Sequence, residues 1–355
     1  YFDEERLRAG TPIVAYPAHP VRDSLAELGY RAWWDLPALP KLNTGTPAVR
    51  QFILDVARHW LEFGADGWRL DVPQEIDDDD FWREFRRVVK GVNPEAYIVG
   101  EIWGDATRWL QGDMFDAVMN YPFSRAALGF CGGEHLDTSH RPGGYELRPL
   151  DGPQFADAVE AMLARYSWDV SLAQLNLIGS HDTPRFLTLV RGDRDALKLA
   201  VLLQMTFVGA PCIYYGDEVG MSGGPDPDCR RAFPWDSAAW DADLHAHYRR
   251  CIALRRAHPA LRRGEFVALY AAGAVYAFLR RLGDEVLVVV LNAGAETYHL
   301  AVPVAGQLDE GARLRNLLGA GEARVAAGRL VGADVPGRSG AVFLRSDDKN
   351  TPGAG

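Results

Sequence analysis

Only four cysteines and five methionines occur among 355 residues, and lysine plus arginine number 38 against 48 aspartates and glutamates. Cys131, Cys212, Cys229 and Cys251 show neither metal-ligand spacing nor the density of a disulfide framework, so they read as buried free thiols. The net charge of −10 excludes the broad basic face that nucleic acid or an anionic membrane requires. No apolar run reaches membrane-spanning length. No signal peptide is seen, but a chain starting at Tyr1 leaves the compartment open, with the cytoplasm the favoured expectation. The "GG" pairs and "GPDPD" lack the strand–GxGxxG–helix setting of a dinucleotide site, so no organic cofactor is expected.

What is present supports large cores: hydrophobic residues make up 48% and aromatics 11%, enough for two domains. A neutral polar ligand such as a sugar fits this surface, and ten tryptophans supply flat faces, although most tryptophans merely fill core. Five short apolar runs each end on a polar or charged residue: "ADGWRLDV" on Asp71, "EAYIVGEIW" on Glu101, "FDAVMNYP", "AQLNLIGSHD" on Asp182, and "GAPCIYYGDE" on Asp217 and Glu218. Helical stretches at 48–63, 78–91, 154–167 and 194–208 alternate with them, which predicts a parallel sheet with right-handed crossovers.

In the first of these helices Val49, Phe52, Ile53, Val56, Trp60 and Leu61 form the predicted buried stripe, between a Thr46–Pro47 start and a Gly64 stop. "DDDDFWREFRRVVKG" reads as a second helix whose aspartates make a solvated, dipole-matched start rather than a metal site. A last helix spans 241–258. From about residue 263 the pattern becomes antiparallel β material, a small separate domain of 261–346, followed by a frayed tail at 347–355. Residues 1–45 read as an irregular excursion, and 46–260 as the strand–helix part. A closed barrel of this kind needs eight units. Five are present, so the sheet is open or three units lie upstream of Tyr1.

Chemistry collects at the carboxyl ends of such strands. A retaining glycosidase needs a carboxylate nucleophile and a carboxylic acid about 5 to 5.5 Å apart across the scissile bond. Arg69, two residues before Asp71 and on the same strand face, would hold that carboxylate ionised, which makes Asp71 the nucleophile candidate. Glu101, after "YIV" and beside Trp103, has the apolar setting of a general acid. Asp182 with His181 adds a third carboxylate and a donor for sugar hydroxyls. Each piece has a plain alternative: a structural ion pair, a helix cap, an Asx turn. Their joint occurrence at successive strand ends favours the catalytic reading.

"DGWRLDVPQE", "IVGEIW" and "LIGSHDTPR" resemble the strand-4, strand-5 and strand-7 motifs of the α-amylase family of glycoside hydrolases, family 13. "LPALPKLN" resembles the marker of its neopullulanase, cyclomaltodextrinase and maltogenic amylase group, and "YYGDEVGMSGGPDPDCRRAFPWD" that group's strand-8 segment. The resemblance implies a (β/α)8 TIM barrel, here represented by its strand 4 to strand 8 portion, followed by a C-terminal antiparallel β-sandwich domain. The excursion 1–45 would be the end of the domain B that leads to strand 4. It implies Asp71 as nucleophile, Glu101 as acid/base and Asp182 as transition-state stabiliser. Arg69, His181, Glu75, Trp103 and Arg185 would bind or support the sugar.

Glu75 stands where α-amylases have His, which favours short or cyclic α-glucans. Gln74 and Pro73 depart from the commonest pattern and leave acceptor preference open. The family's strand-3 motif, Asp with Asn and His four and five residues on, is not found; His19 and His59 sit in the wrong context. The expectation is therefore a fragment whose first three units lie upstream. A calcium ion, which the family allows, is not supported by these residues. The substrate expected is an α-glucan oligosaccharide, with a homodimer left open. The alternatives are a glucosyl transferase or isomerase of the same family, or a truncated sugar-binding protein without activity.

Overall fold

A computed structural model describes residues 20–346. The excursion expected over 1–45 is thus seen only from Pro20 onward; His19 and the expected frayed tail at 347–355 lie outside the described residues. The chain forms two compact units. One comprises the described residues up to Trp68 together with Val72–Tyr97; the other comprises Arg69–Asp71 and the chain from Ile98.

In the first unit, helix α1 (Ser24–Leu28) precedes α2 (Pro47–Phe63) and α3 (Asp79–Val92). Helix α2 starts behind Thr46 with Pro47 in its first turn and stops at Gly64, whose φ of 123° suits only glycine well. Its buried residues are Leu54, Ala57 and Leu61. Phe52 and Trp60 are exposed, which corrects the predicted stripe, and Phe63 is exposed beside them. The helix is apolar on more than one side, so periodicity alone could not tell which side packs on α3. Helix α3 begins as its charge order predicts. Asp78 caps it by accepting from the Phe81 N–H at 2.9 Å, and Asp79 and Asp80 pair with Arg83.

The parallel strands follow in chain order. Strands β1 (Gly67–Leu70), β2 (Tyr97–Gly100) and β3 (Ala117–Val118) form one sheet, and β4 (Leu175–Leu177) with β5 (Ala210–Cys212) a second. A parallel bridge from Met119 to Leu175 joins the two. Here is the arc of a TIM barrel, five strands long, at the five runs expected from the sequence. Between the strands lie α4 (Tyr121–Gly132), α5 (Gly152–Arg165), α6 (Trp168–Ala173), α7 (Phe186–Leu189) and α8 (Arg194–Thr206). The helix predicted over 154–167 is Gly152–Arg165, and a further short helix follows it, because Tyr166 is extended and Ser167 caps a new start by accepting from Val170. Helices α9 (Ala242–Ala257) and α10 (Pro259–Arg263) complete this part.

Eight strands follow: β6 (Glu265–Ala272), β7 (Val275–Leu282), β8 (Glu285–Asn292), β9 (Tyr298–Pro303), β10 (Arg313–Asn316), β11 (Glu322–Ala326), β12 (Arg329–Val335) and β13 (Ser339–Arg345). They form one antiparallel sheet in the order β6-β7-β8-β13-β10-β11-β12-β9 rather than the two sheets of the expected sandwich. The sheet curls until its end strands meet, with Tyr270 stacked on Tyr298 at 5.8 Å. Closure of this kind buries one face without a second sheet.

Strands β7 and β8 are buried on both faces. Tyr276, Phe278, Leu287 and Val289 join the core around α8, whereas Ala277, Leu279, Val286 and Val288 face the interior of the sheet. The change of character near residue 263 marks the start of the antiparallel sheet, which lies within the second compact unit. Arg280 of β7 is fully buried and donates to the carbonyls of Thr206 at 2.7 Å, Gly264 at 3.0 Å and Glu265 at 3.2 Å. These bonds tie the sheet to the end of α8.

Candidate active site

The ends of β1 and β2 are locked together by one backbone bond: the Glu101 N–H donates to the Leu70 carbonyl at 2.9 Å. That bond brings the next side chain of the first strand, Asp71, beside Glu101. Arg69 then bridges them. Its Nη1 lies 2.6 Å from Asp71 Oδ1 and its Nη2 lies 3.0 Å from Glu101 Oε2. The two carboxylates are separated by no more than one guanidinium and its two ion-pair contacts. Their surroundings differ sharply, because the Asp71 side chain is 75% exposed and that of Glu101 4%. The apolar setting expected for Glu101 is thus only half of the picture: it is buried, yet it carries an ion pair that the sequence assigned to Asp71 alone.

Val72, directly after Asp71, has φ 33° and ψ 54°. A β-branched residue in the left-handed region costs of order 1–3 kcal/mol and persists only where its surroundings impose it. The chain turns abruptly there, leaving Asp71 projecting at the strand end.

Tyr121 was missed by the sequence reading, although the run "FDAVMNYP" had marked a strand end one residue before it. The Asn120 side chain caps α4, and Tyr121 in its first turn is buried with its hydroxyl donating to Glu101 Oε1 at 3.4 Å. Burial pushes its phenol well above the usual range; the Ser180 hydroxyl and Arg69 oppose this, and the charges of Glu101 and Asp182 add to it. Trp103, expected at the sugar, stacks on Tyr121 with ring centroids 3.5 Å apart and planes at 10°.

Asp182 sits in a loop held by its own polar side chains. Ser180 Oγ accepts from the Asp182 N–H at 3.2 Å, and Thr183 Oγ1 accepts from the Ser180 N–H at 3.1 Å. Its carboxylate is gripped from two sides, by His181 Nε2 at 3.1 Å and by Arg230 Nη2 at 3.0 Å. Arg230 is the second residue that sequence reasoning missed, 48 positions away in a segment noted only for its resemblance. Cys229, its neighbour, places its thiol 3.1 Å from the His181 carbonyl.

Arg185 requires correction. It was expected at the sugar, but it is wholly buried, with Nη1 donating to Asp217 Oδ1 and to the Tyr215 carbonyl, both at 2.8 Å. Its guanidinium stacks on Tyr214 and Tyr215 at 4.5 and 5.0 Å. Three positions after Asp182, it anchors the loop from below rather than facing solvent. Burial pushes the Asp217 carboxyl up to about 7; Arg185 opposes that rise, and Glu218 adds to it.

Glu75 belongs to the other compact unit, where Lys41 holds it. The lysine Nζ lies 3.4 Å from Glu75 Oε2 and donates to its backbone carbonyl at 2.5 Å. The "LPALPKLN" segment thus supports this position directly.

Among the described residues, no three His, Cys, Asp or Glu side chains come together as a metal site. The four cysteines are free; three are buried and Cys212 is half-buried. No helix among the described residues is long and apolar enough to cross a membrane.

Residues 29–246 match the alpha amylase catalytic domain, and residues 266–343 match the neopullulanase-like C-terminal domain. The chain is 46% identical over 272 residues to a cyclomaltodextrinase of Geobacillus thermopakistaniensis, covering 76% of this chain and 44% of that protein. It is 44% identical over 279 residues to neopullulanase 2 of Thermoactinomyces vulgaris, again covering 76% and 44%. The structure of a debranching enzyme from Nostoc punctiforme superposes with a TM-score of 0.81 at 41% identity, over 88% of this chain and 65% of that one. The chain spans less than half the length of those two curated relatives. With the family's catalytic-domain model covering most of the strand–helix part and these relatives alongside it, the chain belongs to the α-amylase family, its barrel region followed by a neopullulanase-like C-terminal domain.

Proposed function

We propose that the protein is a retaining glycoside hydrolase that cuts α-1,4 bonds, with α-1,6 bonds as a second target, in malto-oligosaccharides, cyclomaltodextrins or pullulan. The observation that carries this reading is the connected run Asp71–Arg69–Glu101–Tyr121, in which one guanidinium holds two carboxylates with opposite exposure. The relatives named above supply the substrate class.

In this reading exposed Asp71 attacks the anomeric carbon, with Arg69 aiming it. Buried Glu101 delivers a proton to the leaving oxygen and then takes one from the incoming water. Tyr121, at its Oε1, orients the carboxyl. Asp182, fixed by His181 and Arg230, sits opposite the positive charge that develops on the flattening ring. Trp103, half-buried on Tyr121, offers an aromatic edge to the acceptor sugar.

The test is turnover of maltotriose with the anomer of the first product followed by proton NMR. Retention of the α-anomer is expected. Asp71→Asn and Glu101→Gln should each lower kcat by about 10⁴, near 5.5 kcal/mol. Near-normal turnover in either variant removes the assignment. Maltotriose bound but never cut by the unaltered protein would transfer the site to the binding reading, and longer or isomeric products to a transferase.

A further inference from the structure

A second cavity opens beside this site, in the same compact unit. Its volume is about 770 Å³, within the range of small-ligand pockets. It lies between α4, α5 and the segment 133–151 that joins them, and its chemistry differs from that of the acidic cluster. Three arginines, Arg125, Arg148 and Arg165, line it, against the single carboxylate of Asp157. None of the three forms an ion pair among the described residues. Arg125 lies over the Tyr145 ring at 5.4 Å, and Arg165 exerts only a through-space pull on Asp105. On a chain of net charge −10, this is a local excess of positive charge, three arginines against one carboxylate in the lining.

Two buried polar groups of the lining are unsatisfied. Ser171 and Gln174 are each 4% exposed, and both line it. The Ser171 hydroxyl and the Gln174 Nε2 have no hydrogen-bond partner among the described residues. A buried polar group left without a partner costs about 1–3 kcal/mol, so two in the lining of one cavity point to something that fills it. The walls are aromatic, formed by Trp103, Tyr121, Tyr145 and Tyr166. Flat rings suit the apolar face of a pyranose, buried hydroxyl and amide groups suit its hydroxyls, and a rim of arginines suits a phosphoryl group through paired N–H bonds.

We propose that this cavity is a binding site for a phosphorylated mono- or disaccharide, with the phosphoryl group at the arginine rim and the sugar ring between the aromatic walls, its hydroxyls reaching Ser171 and Gln174. The site is distinct from the acidic cluster but shares a wall with it. Tyr121 lines the cavity and donates to Glu101, so an occupant touches the residue that orients the candidate acid. The binding claim does not depend on turnover.

Calorimetry of the full chain with glucose 6-phosphate tests it, with glucose, inorganic phosphate and AMP as comparison ligands. Saturable binding of glucose 6-phosphate is expected, at least tenfold tighter than that of glucose or phosphate alone. The double variant Arg148→Gln/Arg165→Gln should weaken it at least tenfold while leaving the circular dichroism spectrum and the affinity for maltotriose unchanged. Both arginines are exposed at the rim, so these changes do not threaten folding. No saturable binding, equal binding in the double variant, or glucose binding as tightly as its phosphate would each overturn the proposal. AMP binding more tightly than glucose 6-phosphate would overturn the sugar part of it.

Discussion

Asp217 offers the sharpest test of how the site is supported, because two substitutions at one position should have opposite consequences. The side chain is 2% exposed, and its partner Arg185 is fully buried. Asp217→Ala removes the carboxylate and leaves a guanidinium sealed in the core with only the Tyr215 carbonyl as acceptor. Breaking a buried pair in this way costs about 3–5 kcal/mol. Asp217→Asn keeps the shape and one acceptor while removing the charge, so it mimics the protonated acid.

The pH dependence separates the terms. Burial raises the folded-state pKa from 3.8 to about 7, outweighing the attraction of Arg185. The folded chain therefore holds this proton at pH values where the unfolded chain has released it. The contribution to stability is complete below about pH 4 and is lost as pH rises through 7. Between pH 4.5 and 8 the unaltered protein should lose about 3 kcal/mol relative to Asp217→Asn, from roughly 1.4 kcal/mol per pH unit. Urea denaturation followed by tryptophan fluorescence at both pH values reads the difference. If the unaltered protein instead gains on the Asn variant as pH rises, the pair with Arg185 outweighs desolvation and the reasoning fails.

Other outcomes follow from neighbouring contacts. Arg230→Gln frees one side of Asp182, so kcat on maltotriose should fall about 10- to 100-fold, some 1.4–2.7 kcal/mol, with a smaller change in KM; an unchanged kcat would show that His181 suffices. Arg280→Leu strands the carbonyls of Thr206, Gly264 and Glu265, and should cost at least about 3 kcal/mol in urea melts at pH 7, whereas a loss under 1 kcal/mol would mean that the junction with the sheet does not rely on those bonds.

The five barrel strands, the caps of α2 and α3, and the acids at three strand ends were legible in the sequence because each rests on local rules. Apolar runs end where the chain leaves the core, Pro and Asp start helices, and Gly64 can take a φ of 123°. The pairing of Arg69 with Asp71 was legible too, since residues two apart share a strand face. The remainder depended on distant segments. Nothing local indicates that Arg69 also holds Glu101, that Arg230 reaches Asp182, or that the Tyr121 hydroxyl donates to Glu101.

Arg185 shows the limit most plainly. Its motif suggested a sugar contact, and the tertiary structure placed it wholly inside, against Asp217 and two tyrosine rings. Helix α2 shows the same limit in packing: the apolar residues are evident in the sequence, but the side that is covered depends on where α3 lies. In the C-terminal sheet, alternation revealed the strands but not their closure into one sheet buried on both faces of β7 and β8. Local chemistry thus set which groups stand at the strand ends. Long-range packing decided their partners and their exposure, because both depend on what the fold brings within a few ångströms.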